Sequence, residues 1–155
     1  MARGAKPTKN PIETDQFYKS KVVTRVVNRL MLGGEKSVAT KIIYGVLEKI
    51  SEDKKEATTK LEEAVKNLMP SQEVRSRRVG GATYQVPVPL RHDRSEALAI
   101  RWLVEAARAK KGKPMAQRLF EEVTLAAKKE GVAYKKKEDT LRMADANKAF
   151  AHFKW

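Results

Sequence analysis

The sequence predicts a mainly α-helical protein: a bundle of about six helices with one protruding β-hairpin at about residues 73–90 and an extended basic N-terminal arm. Three observations support this prediction. Apolar residues recur at helical spacing in six stretches, Gly80-Gly81 separates two stretches rich in Val, Thr and Tyr, and residues 1–16 combine basic side chains with Gly and Pro. At 155 residues the chain has the length of one domain, so we expect an arm over 1–16 and a single helical domain over 17–155.

The net charge points to a polyanionic partner. The chain has 33 Lys and Arg against 19 Asp and Glu, a formal charge of +14. Residues 31–70 hold seven residues of each sign, so the excess lies in the two flanks and the hairpin region. Such an excess repels itself unless a polyanion screens it, which favours nucleic acid. No membrane contact is expected, because the sequence has no long apolar run.

The N-terminal arm over residues 1–16 contains Arg3, Lys6 and Lys9 among Gly and Pro residues and has too little apolar surface to fold alone. Two interpretations stay open for it: a segment that becomes ordered on RNA, or a disordered terminus.

The first two helices are predicted from their apolar stripes. The first runs from Ser20 to the Gly33-Gly34 stop, and the second from Glu35 to about Lys54. The first stripe consists of Val22, Val23, Val26, Val27, Leu30 and Met31, and the second of Val38, Ile42, Ile43, Val46, Leu47 and Ile50.

The third helix is predicted to begin at a capping box, Thr59-x-x-Glu62, and to stop at Pro70. The residues of its stripe are Leu61, Val65, Leu68 and Met69.

The hairpin prediction fixes a register. A two-residue Gly80-Gly81 turn pairs residue 79 with 82, 77 with 84 and 75 with 86. Arg75, Arg77 and Tyr84 then share one face, while Arg78 and Thr83 share the other. A ribbon with arginines on both faces suits insertion against another macromolecule; the alternative is a hairpin that folds back over the helices with solvated arginines.

Three further helices complete the prediction. The fourth is capped by Asp93 or Ser95 and lasts to Gly112, the fifth opens at Pro114 and ends at Gly131, and the sixth begins near Lys136 and ends at Lys148. The inward residues of the fourth are Leu98, Ile100, Trp102, Leu103 and Val104, and those of the fifth are Met115, Leu119, Val123 and Ala126.

Basic clusters on these helices are candidate phosphate-binding groups. Arg94, Arg101 and Arg108 recur every seven residues, with Glu105 between the last two, so a binding face and a salt-bridged face both fit. A lysine cluster at the start of a helix opposes the helix dipole, and a bound phosphate would relieve that conflict. The two lysine clusters are Lys110, Lys111 and Lys113, and Lys135, Lys136 and Lys137.

Catalytic and metal-binding patterns are weak. The acidic pairs Glu62-Glu63, Glu121-Glu122 and Glu138-Asp139 each point to different sides of a helix. With no Cys, two His and no phosphate-binding loop, we expect no enzyme, no cofactor, no metal and no small-molecule substrate. Of the aromatic residues, Trp102 is expected in the core, whereas Phe150, Phe153 and Trp155 suit either a core or base stacking.

Four motifs resemble the bacterial small-subunit ribosomal protein seven family. They are GGEKSVATKIIY (33–44), RSRRVGGATYQVPV (75–88), ALAIRWLVEAAR (97–108) and MADANKAFAHFKW (143–155), in the family's order along the chain. The resemblance implies a six-helix fold with a hairpin and a cytoplasmic protein that is a structural constituent of the small ribosomal subunit.

The resemblance further implies a primary binder of the 3′ major domain of 16S rRNA that nucleates assembly of the 30S head. It also implies a position near the exit-site tRNA and the departing mRNA, and contacts with small-subunit proteins nine and eleven. The hairpin tip at Gly80, Gly81 and Tyr84 would approach the tRNA. Together with the basic clusters, the expected rRNA-binding residues are Arg3, Lys6, Lys9, Arg75, Arg77, Arg78, Arg91, Arg94, Arg101, Arg108, Lys110, Lys111, Lys113, Lys135, Lys136 and Lys137.

Two other function classes fit part of the sequence. A DNA-binding regulator would use the Gly33-Gly34 turn between two helices, but the second helix is nearly neutral and offers Ile and Val where base-reading side chains are needed. A nucleic-acid-modifying enzyme would need an acid, base or metal pattern that the sequence lacks.

Overall fold

The computed structural model describes residues 11–153, which form six α-helices, one two-stranded sheet and a short 3₁₀ helix. The arm residues Arg3, Lys6 and Lys9, and Trp155 at the other end, lie outside the described residues. Within the described part, no helix is both long and apolar enough to span a membrane. The elements are α1 (Lys21–Leu30), α2 (Lys36–Ile50), α3 (Lys54–Leu68), β1 (Gln72–Val79), β2 (Ala82–Pro89), α4 (His92–Ala109), α5 (Met115–Ala127), α6 (Val132–Ala146) and the 3₁₀ helix (Lys148–Phe153).

Helix α4 is the central helix of the bundle. It packs against α1, α3, α5 and α6, and it buries ten of its residues, among them Trp102 and Leu103. Trp102 is thus a core residue, as predicted. The apolar stripes of α1, α2, α3 and α5 join α4 in one continuous core. One stripe residue is misplaced by the prediction: Val38 is 51% exposed, because it lies in the first turn of α2, outside the core.

Several predicted helix boundaries are wrong, beginning with the junction between α2 and α3. Helix α2 ends at Ile50, not near Lys54, and α3 begins at Lys54 after Asp53, whose side chain accepts a hydrogen bond from the Lys55 N–H at 3.0 Å. The predicted capping residue Thr59 lies inside α3 and donates its hydroxyl to the Lys55 carbonyl. Asp53 is the cap of α3 because its carboxylate accepts a free backbone N–H and places a negative charge at the helix N-terminus, where the helix dipole favours it.

Helix α4 also begins differently from the prediction. Arg91 precedes its first turn without a side-chain cap, and Asp93 lies within that turn. Ser95 is buried and donates its hydroxyl to the Pro70 carbonyl at 2.6 Å, so it ties α4 to the chain before the hairpin. The helix ends at Ala109, three residues before Gly112.

The start of α6 depends on a carboxylate from α5. Gly131 was predicted to end α5, but α5 ends at Ala127 and Gly131, with φ +94°, precedes α6. The fully buried Glu122 accepts the Ala133 N–H at 2.9 Å, and Lys110 Nζ lies 2.9 Å from its other oxygen. A carboxylate from another helix therefore caps α6, where no local side chain does.

The hairpin has the predicted register. Val79 pairs with Ala82, Arg77 with Tyr84 and Arg75 with Val86 in an antiparallel ribbon. β1 packs against α6 and β2 packs against the 3₁₀ helix, so one face of the ribbon is supported by the body. The tip at Gly80-Gly81 is exposed.

Candidate nucleic-acid interface

The exposed face of α4 aligns Arg94 and Arg101. They are seven residues apart, which is two helical turns and about 10 Å along one side of the helix. Both side chains are about half exposed. Each is positioned by a glutamate, Glu73 or Glu105, so the face has both features that the sequence left open: exposed arginines and salt bridges.

Glu105 connects three helices through their cations. Its carboxylate lies 3.0 Å from Lys136 Nζ of α6, 3.5 Å from Arg29 Nη2 of α1 and 3.9 Å from Arg101 Nε of α4. The hydrogen bond from Lys136, reinforced by the charges around it, lowers the pKa of Glu105 below its ordinary value. Three cations around one anion leave a local positive excess.

The base of the hairpin forms a second cluster around Glu73. The Arg75 guanidinium donates to Glu73 Oε1 at 2.7 Å through Nε, and Arg94 donates to Oε2 at 3.2 Å through Nη2. Glu73 itself is buried, whereas both arginines are about half exposed. Arg75, Arg91 and Arg94 line an open pocket of about 490 Å³ at this place.

Helix α1 adds two cations that the sequence reading did not select. Arg25 forms an ion pair with buried Glu96 of α4, and Arg29 reaches Glu105. Both line a groove of about 450 Å³ between α1 and α4, in which Ile12 also lies. Arg25 and Arg29 are four residues apart in α1, away from its apolar stripe, and this spacing could have identified them in the sequence as one cationic face.

The two faces of the hairpin differ in exposure. Arg78 is exposed and has no ion-pair partner among residues 11–153, while Arg77 is half-buried on the other face. Tyr84 on that face packs against the Phe150 and Phe153 rings, with centroid distances of 5.2 and 5.1 Å. The two phenylalanines left open by the sequence therefore support the hairpin, and the ring of Tyr84, two residues along β2 from Ala82 at the turn, lies in this aromatic cluster.

Several predicted lysines and one arginine make contacts within the protein. Arg108 donates to the Leu30 carbonyl at 3.0 Å and so caps the end of α1. Lys110 pairs with Glu122, and Lys113 pairs with Glu121. The hydrogen bond from Lys113 lowers the pKa of Glu121 below its ordinary value. These contacts connect the loop before α5 to α5 itself.

The second lysine cluster lies further into α6 than predicted, because α6 begins at Val132 and not near Lys136. Lys137 donates to the Asn67 carbonyl at 2.6 Å, and burial lowers its pKa. Lys136 pairs with Glu105, whereas Lys135, like Lys111 in the loop before α5, is exposed without an ion-pair partner in the described part of the chain. Within this second cluster, only Lys135 lies in the first turn of α6, where a bound phosphate would relieve the conflict with the helix dipole.

Metal chemistry has no visible site in the described residues. Between residues 11 and 153, no group of three or more His, Asp or Glu side chains lies close enough to hold a metal ion. The acidic side chains on the α4 face instead lie against cations.

Comparison with known proteins gives a consistent result over nearly the full chain. Residues 2–148 match the family model described as ribosomal protein S7p/S5e. A protein named small ribosomal subunit protein uS7 from Nitratiruptor sp. is 56% identical over 143 residues, covering 91% of this chain and 92% of the relative. Proteins of the same name from Pelotomaculum thermopropionicum and Rhizorhabdus wittichii are 52% identical, covering 99% of this chain and 98% of the relative, and 53% identical, covering 100% of both.

Proposed function

From the premise that this chain belongs to the ribosomal protein S7p/S5e family, and is thus a structural constituent of the small ribosomal subunit, we propose that it binds the 3′ major domain of 16S rRNA directly. In this role it nucleates assembly of the 30S head. Its contribution is positional and not catalytic: it holds RNA segments in place by contacts to their backbone and shape.

The observation on which the proposal rests is a set of cations on α1, the hairpin, α4 and α6, several of which share a carboxylate partner; this set is here called the basic face. It consists of Arg25 and Arg29 of α1, Arg75, Arg77 and Arg78 of the hairpin, Arg91 before α4, Arg94 and Arg101 of α4, and Lys136 of α6. Glu73 links the hairpin to α4, and Glu105 links α4 to α1 and α6. Residues 31–70, with seven charges of each sign, offer no comparable excess.

The chemistry of the basic face suits structured RNA. Most of its cations are arginines, whose planar guanidinium groups can donate two parallel hydrogen bonds to one phosphate and can also stack on a base. The cations come from four separate elements on a rigid helical core. Fixed spacing between phosphate-binding groups favours one RNA shape over others, whereas flexible lysines attract any polyanion.

The hairpin tip is the proposed contact to the exit-site tRNA and the departing mRNA. Gly80 and Gly81 are exposed, and the absence of side chains lets a nucleic-acid backbone approach closely. Contacts with small-subunit proteins nine and eleven are proposed from the family resemblance alone.

The test is a titration of the purified full-length chain with the 3′ major-domain fragment of 16S rRNA over a series of salt concentrations. Unrelated structured RNA and duplex DNA of equal mass are the competitors. We expect the cognate fragment to bind at least ~10³-fold more tightly at physiological salt, by analogy with specific DNA-binding proteins. Equal binding to all three polymers would contradict the proposal and indicate a generic polycation; preferential binding of the duplex DNA would favour a DNA-binding regulator.

A matched pair of variants tests whether the basic face is the binding surface. Arg29→Ala/Arg101→Ala removes two cations of the face, and Lys41→Ala/Lys49→Ala removes two exposed cations of α2. We expect the first variant to lower the salt dependence of rRNA binding by about 1.5 units, near 0.7 for each lost phosphate contact, and the second to leave it unchanged. Equal losses in both variants would show that binding does not depend on this face.

A further inference from the structure

A buried carboxylate at the centre of an RNA-binding surface is unexpected on electrostatic grounds. Glu73 is only 8% exposed and lies at the base of the hairpin, between Arg75 and Arg94. A phosphate approaching this pocket would be repelled by the negative charge of Glu73. Considered as charge alone, Glu73 should weaken RNA binding.

The geometry of the contacts indicates a different role. Arg75 directs both Nε and Nη2 at Glu73 Oε1, at 2.7 and 2.6 Å, and Arg94 directs both Nε and Nη2 at Oε2, at 3.3 and 3.2 Å. Each carboxylate oxygen is thus shared by two N–H groups of one arginine. The guanidinium edge that contains Nη1 points away from the carboxylate in both residues, and about half of each side chain is exposed.

The surroundings fix this carboxylate. Glu73 pairs with Val88 across the ribbon, and Val86 and Pro87, the two residues before Val88 in β2, are buried. At the end of the ribbon next to Glu73, the Leu90 N–H donates to the Ser71 carbonyl at 3.0 Å and joins the two chain segments there. Since the carboxylate is fixed, the two guanidinium groups that bind it are also held in one orientation.

We propose that Glu73 is a positioning residue for RNA binding: it orders Arg75 and Arg94 so that their outer edges face a single phosphate site, the pocket that Arg91 also lines. Without it, three cations around one pocket repel each other and sample many rotamers. RNA would then have to order them on binding, and that ordering costs affinity. This inference rests on the proposed function, because it concerns the same basic face.

The sign of one substitution distinguishes positioning from charge. Glu73→Gln keeps the shape of the side chain and makes the protein one unit more positive. If Glu73 only neutralises charge, affinity for the 3′ major-domain rRNA fragment rises. If it orders the arginines, affinity falls, and we expect a loss of about three- to tenfold. The matched control is Glu138→Gln on α6, an exposed glutamate with no ion-pair partner in residues 11–153, and its affinity should stay within about twofold of the parent.

A second background separates positioning from a structural contribution to the hairpin. In Arg75→Ala/Arg94→Ala, Glu73 has no arginines to orient, so adding Glu73→Gln should leave rRNA affinity unchanged or slightly improved. If adding Glu73→Gln to Arg75→Ala/Arg94→Ala lowers rRNA affinity as much as it does in the parent, the inference is wrong and Glu73 has a purely structural role. Circular dichroism and thermal unfolding of each variant identify any variant that fails to fold.

A measurement without RNA tests the same point in the free protein. The Nε–H signals of Arg75 and Arg94 should be distinct and slow to exchange with solvent in the parent, and should lose both properties in Glu73→Gln. Unchanged Nε–H signals in Glu73→Gln, or affinity equal to or above that of the parent, would contradict the inference. If the parent itself does not discriminate cognate rRNA from the competitors, the proposed function fails, whatever Glu73 does.

Discussion

The α2–α3 half of the molecule and the basic face use the same ion-pair chemistry to opposite effect. In α2 and α3 the charges balance locally: Lys60 binds Glu56 one turn away, and residues 31–70 have no net charge. On the basic face, single carboxylates bind two or three cations from different elements, as Glu73 and Glu105 do. The salt bridges of the basic face therefore leave its cations in excess, whereas the charges of α2 and α3 cancel.

The two regions should therefore respond differently to substitution. Stability should depend on the core that α2, α3, α4 and α5 share, and RNA affinity should depend on the side chains of the basic face. The substitutions with the largest expected effects test whether stability and RNA affinity depend on different residues. Those with smaller effects test the contacts that connect the core to the basic face.

Leu103→Ala should have the largest effect. Leu103 is fully buried in the middle of α4, and its truncation leaves a cavity in the core. We expect the free energy of unfolding to fall by about 3–4 kcal/mol, measured by urea denaturation. The rRNA affinity of the protein that remains folded at low temperature should stay within about twofold. A loss of affinity at full folding would show that core packing and the basic face are coupled.

Arg75→Ala/Arg77→Ala/Arg78→Ala should give the converse result. These substitutions remove three guanidinium groups from the hairpin, and we expect rRNA affinity to fall about 100-fold, because each charge-assisted hydrogen bond to phosphate contributes roughly 1 kcal/mol or more. Helical content and the urea midpoint should change little. If the variant instead unfolds at markedly lower urea, the hairpin arginines contribute to the core and the separation of the two regions is wrong.

Gly131→Ala tests the joint between α5 and α6, which positions Lys136 on the basic face. Gly131 has φ +94°, and an added Cβ would lie 2.9 Å from Glu122 Oε1 and 3.1 Å from Leu125 Cβ. We expect a loss of about 2–3 kcal/mol in unfolding free energy, since this backbone conformation is nearly restricted to glycine and the buried carboxylate cannot move freely. Gly45→Ala, at a helical glycine with open space around its Cβ position, is the control and should be neutral or stabilising.

The pH dependence of Glu105 should give the smallest effect. Its pKa is lowered in the folded protein, chiefly by the hydrogen bond from Lys136, so its contribution to stability is present above the ordinary glutamate value of 4.5 and is lost as pH falls through the lower folded value. Because the side chain is 41% exposed, we expect less than about 1 kcal/mol. Urea unfolding of the parent and Glu105→Gln should therefore differ at pH 7 and converge in acid. A difference that persists well below pH 4.5 would assign the effect to packing.

Local sequence signals predicted the elements well where one signal dominated. The apolar stripes of α1 to α5 gave the core, and Gly80-Gly81 gave both the turn and the register of the hairpin, because only glycine adopts the positive φ of both turn positions without cost. Helix starts were less predictable where several capping residues compete. Asp53 and Thr59 both fit a cap, and the choice depends on where the chain leaves α2.

The candidate interface was predicted only in part. The arginines at 75, 77, 78, 94 and 101 were found from the hairpin pattern and the seven-residue spacing, but Arg25 and Arg29 were not, since on α1 alone they read as solvated side chains. Conversely, Arg108, Lys110 and Lys137 belong by sequence to the same basic clusters, yet they contact Leu30, Glu122 and Asn67. Which cations remain available to a ligand therefore depends on partners 12 to 78 positions away along the chain.

The sequence by itself determined the helical class, the hairpin register, the core stripes and the excess of positive charge, because each of these follows from spacing or composition within a short segment. Only the tertiary structure decided which carboxylates meet which cations. Glu73, Glu105 and Glu122 are three similar glutamates in the sequence, but Glu73 accepts hydrogen bonds from two arginines at the hairpin base, Glu105 links three helices and Glu122 caps α6. The physical reason is that an ion pair depends on the distance between atoms in space, and the packing of α4 against its neighbours sets that distance.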